Sequence, residues 1–282
     1  MILYCTILLN IFSVIRSEYN YDQQGADWTG TCRYGRNQSP IDLTQKHATM
    51  KHLPRIEFEK YDLALRTPLL LVNNGHTAHM ELPPVGHIKG GMLRGKFVPQ
   101  SVHFHWGSLI SKGSEHAINN ERYDAEIHII HKNSRYWDKS VGEASQLPNG
   151  IAVLAVMIKS VLREEESELN KVFEALPQII PYKSNTTIYG RLTMKQLLGN
   201  IDTGKFYTYK GSLTTPDCTE LVTWTVFKEV VSIRLSLIAN FWSLTNSHGQ
   251  PLINNYRELQ DIHRRKVYYR SCDVLKKLLD WW

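Results

Sequence analysis

His103 and His105 stand in Val-His-Phe-His-Trp, and His128 follows in Ala-Glu-Ile-His-Ile-Ile-His. In an extended strand, successive side chains point to opposite faces, so His103 and His105 emerge on one side and Phe104 and Trp106 on the other. Two imidazoles on one face, two residues apart, form a bidentate clip for a metal ion. His128, in a second isoleucine-rich β-like run, is placed to add a third imidazole from a neighbouring strand. Three histidines leave the fourth position of tetrahedral zinc open to water, the arrangement of a catalytic rather than a structural site. A His-x-His pair alone is commonly plain strand decoration, so its surroundings decide the reading.

Strands must hold these side chains, and β-like runs dominate: 69–73, 76–82, 101–106, 123–131, 151–161, 205–210 and 221–231, many separated by Gly, Pro or Asn. Helical spacing is confined to a few places. Leu169, Val172, Phe173 and Leu176 follow the i, i+3, i+4, i+7 pattern after an acidic run at 164–166 that suits a helix start. Thr193 with Gln196 forms a capping box for a short helix ended by Gly199, and Leu237, Phe241 and Leu244 suggest another. Many strands and few helices without regular β-α alternation indicate an α+β fold. No linker-like tract, repeat or low-complexity run divides the 282 residues, so a single domain is expected.

Residues 1–15 carry no charged side chain and are mostly apolar, with Arg16 and Ser17 following. This reads as a secretory signal over 1–17, shorter than the roughly 20 residues of a membrane span; a buried N-terminal strand is the alternative. The folded domain is expected over 18–271. A tail over 272–282 is amphipathic if helical and too short to cross a bilayer. The 33 basic residues against 27 acidic ones are scattered, apart from His263-Arg264-Arg265-Lys266, and no nucleic-acid module is visible. Export permits disulfides. Cys5 would leave with the signal, leaving Cys32, Cys218 and Cys272. Asn185-Thr-Thr is a glycosylation acceptor pattern; Asn37-Gln-Ser matches too but adjoins Pro40.

The segment 101–131, with His-Phe-His-Trp-Gly-Ser at 103–108, Gly-Ser-Glu-His at 113–116 and Ala-Glu-Ile-His at 125–128, resembles an α-class carbonic anhydrase of the secreted, extracellular type. Gln-Ser-Pro-Ile-Asp at 38–42, Asn-Asn-Gly-His at 73–76, Gly-Ser-Leu-Thr-Thr-Pro at 211–216 and Asn-Asn-Tyr-Arg at 254–257 agree in the same order, so the likeness runs from about Tyr19 to about Arg270.

The resemblance implies a large, twisted, mainly antiparallel central sheet with a few peripheral helices. It implies reversible hydration of carbon dioxide to bicarbonate and a proton by a zinc-activated water, with Zn2+ on His103, His105 and His128. Glu126 then backs His128, and the main-chain carbonyl of Asn255 backs His105. Thr214, passing a hydrogen bond to Glu115, would aim the attacking water. His76 would be the proton shuttle, with Tyr21 and Asn74 ordering the intervening water and His79 near the rim. Ile130, Val153, Leu213, Val222, Trp224 and Thr215 would line the substrate pocket, and Cys32 would be bonded to Cys218.

His131 should point away from the metal, and His116 is read as a hydrogen-bonded core residue. There are two departures from the family pattern. Ser101 stands where a glutamine usually backs the first ligand, with Gln100 out of phase by one, and Asp217 replaces a second proline. The expected partner is a small-molecule substrate and the expected state a monomer, with Cys272 left as an odd thiol, either buried or open to pairing with another chain as a disulfide dimer. A non-catalytic binding module on the same scaffold is disfavoured by retention of His76, His103, His105, Glu115, His128 and Thr214 together. A matrix or mineralisation protein would be expected to carry added acidic or repetitive domains.

Overall fold

The computed structural model describes residues 19–66, 68–163, 167–199 and 201–271. The expected signal over 1–17 and tail over 272–282, with Cys5 and Cys272, lie outside the described residues. Among the described residues, no helix is long and apolar enough to cross a membrane.

The apolar, β-branched runs of the central strands can bury side chains on both faces, whereas the short edge strands are more exposed. The strands on the main path are β1 (Thr49–Met50), β2 (Leu69–Asn73), β3 (Ala78–Glu81), β4 (Phe97–Trp106), β5 (Ala125–Asn133), β6 (Ile151–Val161), β7 (Asn185–Ile188), β8 (Phe206–Gly211), β9 (Val222–Arg234) and β10 (Tyr268–Arg270). They lie in the order β7-β2-β3-β4-β5-β6-β9-β8-β10-β1, and two short strands, Glu57–Glu59 and His87–Lys89, complete a twelve-stranded sheet beside β4. Pairing is antiparallel except between β6 and β9 and between β10 and β1. The fold is therefore the single-domain α+β arrangement expected, one large and mainly antiparallel sheet with short helices at its edges.

Both faces of the central strands are covered. One carries Phe104, Trp106, Ile127, Ile129, Leu154 and Val156 against Phe173 and Phe241. The other carries Ile130, Val153, Ala155, Val222, Trp224 and Val226 with Tyr207 and Tyr209. Side-chain alternation thus splits β4 and β5 into an apolar side and the side bearing His103, His105, Glu126 and His128.

The helices are shorter than periodicity suggests. Asn170–Ala175 is α-helical and passes into a 3-10 turn at Leu176–Ile179, where Pro177 has no N–H to continue the ladder. Leu235–Ile238 likewise passes into a 3-10 turn at Ala239–Ser243. Thr193 caps Met194–Leu197 through the reciprocal bonds with Gln196 that the sequence indicates, and Gly199 follows at φ 68°. A second capping box, Ser140 with Glu143, starts Val141–Ser145; its Ser-x-x-Glu spacing was available in the sequence.

Candidate active site

Strand register brings the histidines together. His103 lies directly opposite His128, and His105 opposite Glu126, across the antiparallel β4–β5 pair. Ring centroids are 5.0 Å apart for His103 and His105, 5.2 Å for His103 and His128, and 4.6 Å for His105 and His128. One donor nitrogen from each lies within 4.8 Å of the others, a spacing able to hold a metal ion.

The tautomers are set from behind. The Nδ1–H of His105 donates to the Asn255 carbonyl at 2.7 Å, leaving Nε2 buried without a partner. The Nε2–H of His128 donates to Glu126 Oε1 at 2.7 Å, leaving Nδ1 to face the site. Burial and the neighbouring imidazoles hold His103 well below the usual histidine range, and burial lowers His105. Imidazoles that present bare, converging lone pairs are the donor set zinc requires, so the residues fit the ion.

Glu126 is a hub. It accepts from the backbone N–H of His116 at 2.8 Å, from His116 Nδ1 at 2.7 Å and from His128. Burial alone would raise its carboxyl, but the His116 and His128 imidazoles hold it well below the usual carboxylate range. His116 Nε2 meets the Tyr209 hydroxyl at 2.7 Å, and that hydroxyl bonds Ser39 Oγ at 2.8 Å. His116 is thus the hydrogen-bonded core residue expected.

Glu115 reaches the site because the chain doubles back tightly after β4: a Cβ on Gly113 would sit 1.7 Å from Gly107 N. Its Oε1 accepts from the Arg257 backbone N–H at 2.9 Å. Its Oε2 is buried without a hydrogen-bond partner, 3.5 Å from His105 Nε2 and 3.9 Å from His128 Nδ1. The hydrogen bond from Thr214 to this oxygen that the resemblance implies is therefore not closed, although Thr214 is buried at the same cavity.

A cavity of about 170 Å³ is lined by His103, His105, His128, Ile130, Val153, Leu213, Thr214, Thr215 and Trp224, together with Tyr21, Asn74 and His79. Val222, expected in its wall, is not among the lining residues; it is fully buried in the same apolar cluster as Ile130 and Val153, two residues along β9 from Trp224. His76 also falls outside the cavity. The ring stacks on Tyr19 at 4.2 Å and lines a neighbouring polar cleft of about 270 Å³ with His248 and Asn254. His79 bonds Glu81 Oε1 at 2.9 Å. Ser101 lies on the ligand face of β4, where a register shift between Pro99 and Ser101 marks a bulge.

Sequence reasoning missed several supports. Arg257 is 1% exposed, and its guanidinium donates to Gln38 Oε1, the Ser39 carbonyl and the Cys32 carbonyl at 2.8, 2.8 and 2.6 Å. Cys32 is bonded to Cys218 (S–S 2.09 Å), so this network anchors the segment leading from Thr214. The Asn255 side chain accepts from Trp106 N at 2.7 Å and donates to the carbonyls of His76 and Phe104 at 2.9 and 3.1 Å, tying β4 to the His76 turn. Thr77 bonds both backbone groups of Phe104, between His103 and His105. Asn255 and Arg257 fall in the Asn-Asn-Tyr-Arg stretch, so its presence was the available signal; Thr77 reads as an ordinary strand residue.

Comparison with known proteins agrees with this geometry. The eukaryotic-type carbonic anhydrase family matches residues 23–271. Human (Homo sapiens) carbonic anhydrase 12 is 36% identical over 252 residues, covering 85% of this chain and 68% of that protein. Carbonic anhydrase 6 of Canis lupus familiaris is 36% identical over 240 residues, covering 83% and 72%. Putative carbonic anhydrase 5 of Caenorhabditis elegans is 32% identical over 268 residues, covering 93% and 84%. With a family match over most of its length and a histidine cluster able to hold a metal at the floor of its cavity, the chain belongs to the eukaryotic-type carbonic anhydrases and is a lyase of that family.

Proposed function

We propose that this chain interconverts carbon dioxide and water with bicarbonate and a proton at a zinc ion held by His103, His105 and His128. The observation that carries the reading is the pair of buried imidazoles turned from behind by Asn255 and Glu126, so that bare nitrogens converge with His103 beside an apolar wall. A zinc ion held there supplies an acidified water near neutral pH, the property for which carbonic anhydrases are themselves the standard example.

The protein's own groups do the rest. Ile130, Val153, Leu213 and Trp224 offer carbon dioxide a surface matched to a small apolar molecule, with Thr215 at its edge. Glu115 Oε2 is a fixed acceptor, and a hydrogen bond from Thr214 to it would orient the attacking oxygen, a positioning effect. The proton leaves past Tyr21, Asn74 and His79 towards His76, whose imidazole passes it to buffer. The place of His76 beside Tyr19 in the neighbouring cleft supports an outward station for that ring.

The disulfide supports an extracellular setting, in keeping with a signal over 1–17 and a domain over 18–271. Asn185 is exposed at the start of edge strand β7 and is proposed as a glycan acceptor; the chain is proposed to act as a monomer.

Stopped-flow hydration with parallel metal analysis tests the assignment. One zinc per chain is expected, with hydration that disappears in His105→Ala together with the metal. Hydration that survives removal of the metal would sink the reading.

A further inference from the structure

The three candidate ligands are not held alike. His105 and His128 each donate one ring N–H to a buried, fixed acceptor, at 2.7 Å in both cases. The His103 ring meets other imidazoles edge-on, and no hydrogen bond reaches it among the described residues.

The cause lies two residues back. Ser101, His103 and His105 share one face of β4, so a side chain at 101 is the neighbour placed to reach the His103 ring from behind. Alternate residues on a strand are separated by about 6.6 Å, which a serine hydroxyl cannot bridge and a longer amide can. An amide does stand next door, on Gln100. There the register between β4 and β5 slips: Pro99 faces His131 and Ser101 faces Ile130, leaving Gln100 as the extra residue of a bulge. Its Nε2 donates to the carbonyls of Val98 and Pro99, at 3.2 and 2.7 Å, which holds the amide against its own strand, and among the described residues its Oε1 makes no hydrogen bond to the His103 ring.

We infer that the Gln100–Ser101 bulge leaves His103 as an unanchored metal ligand, so that the chain grips its zinc through two oriented imidazoles and one without an orienting hydrogen bond, and exchanges the ion faster than a chain with an amide at 101. The inference rests on the zinc reading above and makes Ser101 a positioning residue that acts by what it fails to supply. An orienting partner behind a ligand is worth about 10–100-fold in metal affinity. The same factor is expected to enter the release rate.

The test uses the mature chain loaded with zinc, with release timed by a chromophoric chelator. Ser101→Gln is expected to slow release by about tenfold or more, and Ser101→Ala to leave it within about twofold of the parent. Equal release from Ser101→Gln and the parent overturns the inference. So does faster release from Ser101→Ala, which would mean that the hydroxyl already orients the ring.

If Ser101→Gln fails to fold, nitrogen-15 NMR of the metal-free parent decides the matter. His103 is expected in mixed tautomers beside a pure Nδ1–H form of His105 and a pure Nε2–H form of His128. A single His103 tautomer overturns the inference. A parent chain that takes up no zinc defeats the proposed function instead, and the tautomer measurement still decides how His103 is held.

Discussion

His128 and His131 lie three residues apart on one strand, are both almost completely buried, and face opposite sides of the sheet. His131 is satisfied at both nitrogens. Nδ1–H donates to the Ile129 carbonyl at 2.9 Å, and Nε2 accepts from the Tyr61 hydroxyl. His128 is satisfied at one nitrogen only, and the other is turned towards His103, His105 and the cavity. Burial therefore does not mark the functional imidazole, since both have it. The mark is an incomplete set of partners, open on a side where two more imidazoles each also present a bare nitrogen.

The sharpest way to break this contrast is to remove each ring in turn. His128→Ala is expected to lose the metal and lower carbon dioxide hydration by at least about 10³-fold, equivalent to roughly 4 kcal/mol of barrier. His131→Ala is expected to keep the metal and hydrate within about threefold of the parent. It should lose about 2–4 kcal/mol of stability by opening a cavity and stranding the Tyr61 hydroxyl. Metal content, stopped-flow rates and denaturant unfolding check the pair. A His131→Ala protein that is stable but inactive would erase the distinction.

Acid titration of stability sharpens it further. Burial pushes His131 down to about 3 in the folded chain, against 6.5 for a free imidazole. Between those values the unfolded chain binds a proton that the folded chain refuses, so stability falls as the pH drops from about 6.5 towards 3. That one group should account for roughly 2–3 kcal/mol between pH 6 and pH 4. In His131→Ala this share of the slope should vanish, leaving a flatter acid limb from a lower starting stability. Parallel limbs in parent and variant would show that His131 is protonated in the fold.

What the sequence reveals follows the same division. The grouping of the histidine trio was readable because strand alternation places His103 with His105, and Glu126 with His128, whatever the rest of the fold does. The opposite orientation of His131 follows from the same rule, being an odd number of residues from His128. Supports that depend on distant pairing were not readable: Arg257 meets Gln38 across 219 positions, and no local pattern announces that contact. Val222 shows the limit of alternation itself. It shares a face with Trp224, but only the position along β9 decides which of them reaches the cavity. The bulge at Gln100 stayed hidden because it is a property of register between two strands, visible in the sequence only as a glutamine out of step.

The smallest test concerns the hydroxyl that closes the His131 shell. Tyr61 is buried, and burial pushes its hydroxyl well above the usual tyrosine range, so it remains a donor across the neutral region. Tyr61→Phe keeps the ring, which packs beside Phe58 at 5.0 Å between centroids, and removes only the donor. His131 Nε2 is then a buried acceptor without a partner, at a cost of about 1–2 kcal/mol. Its Nδ1–H bond to Ile129 survives, so the ring should stay in place and hydration should not change. Denaturant unfolding and stopped-flow rates on the same preparation measure both quantities. A drop in turnover with stability intact would mean that the two faces of β5 communicate, and that filling the partner set on one side helps set the geometry left open on the other.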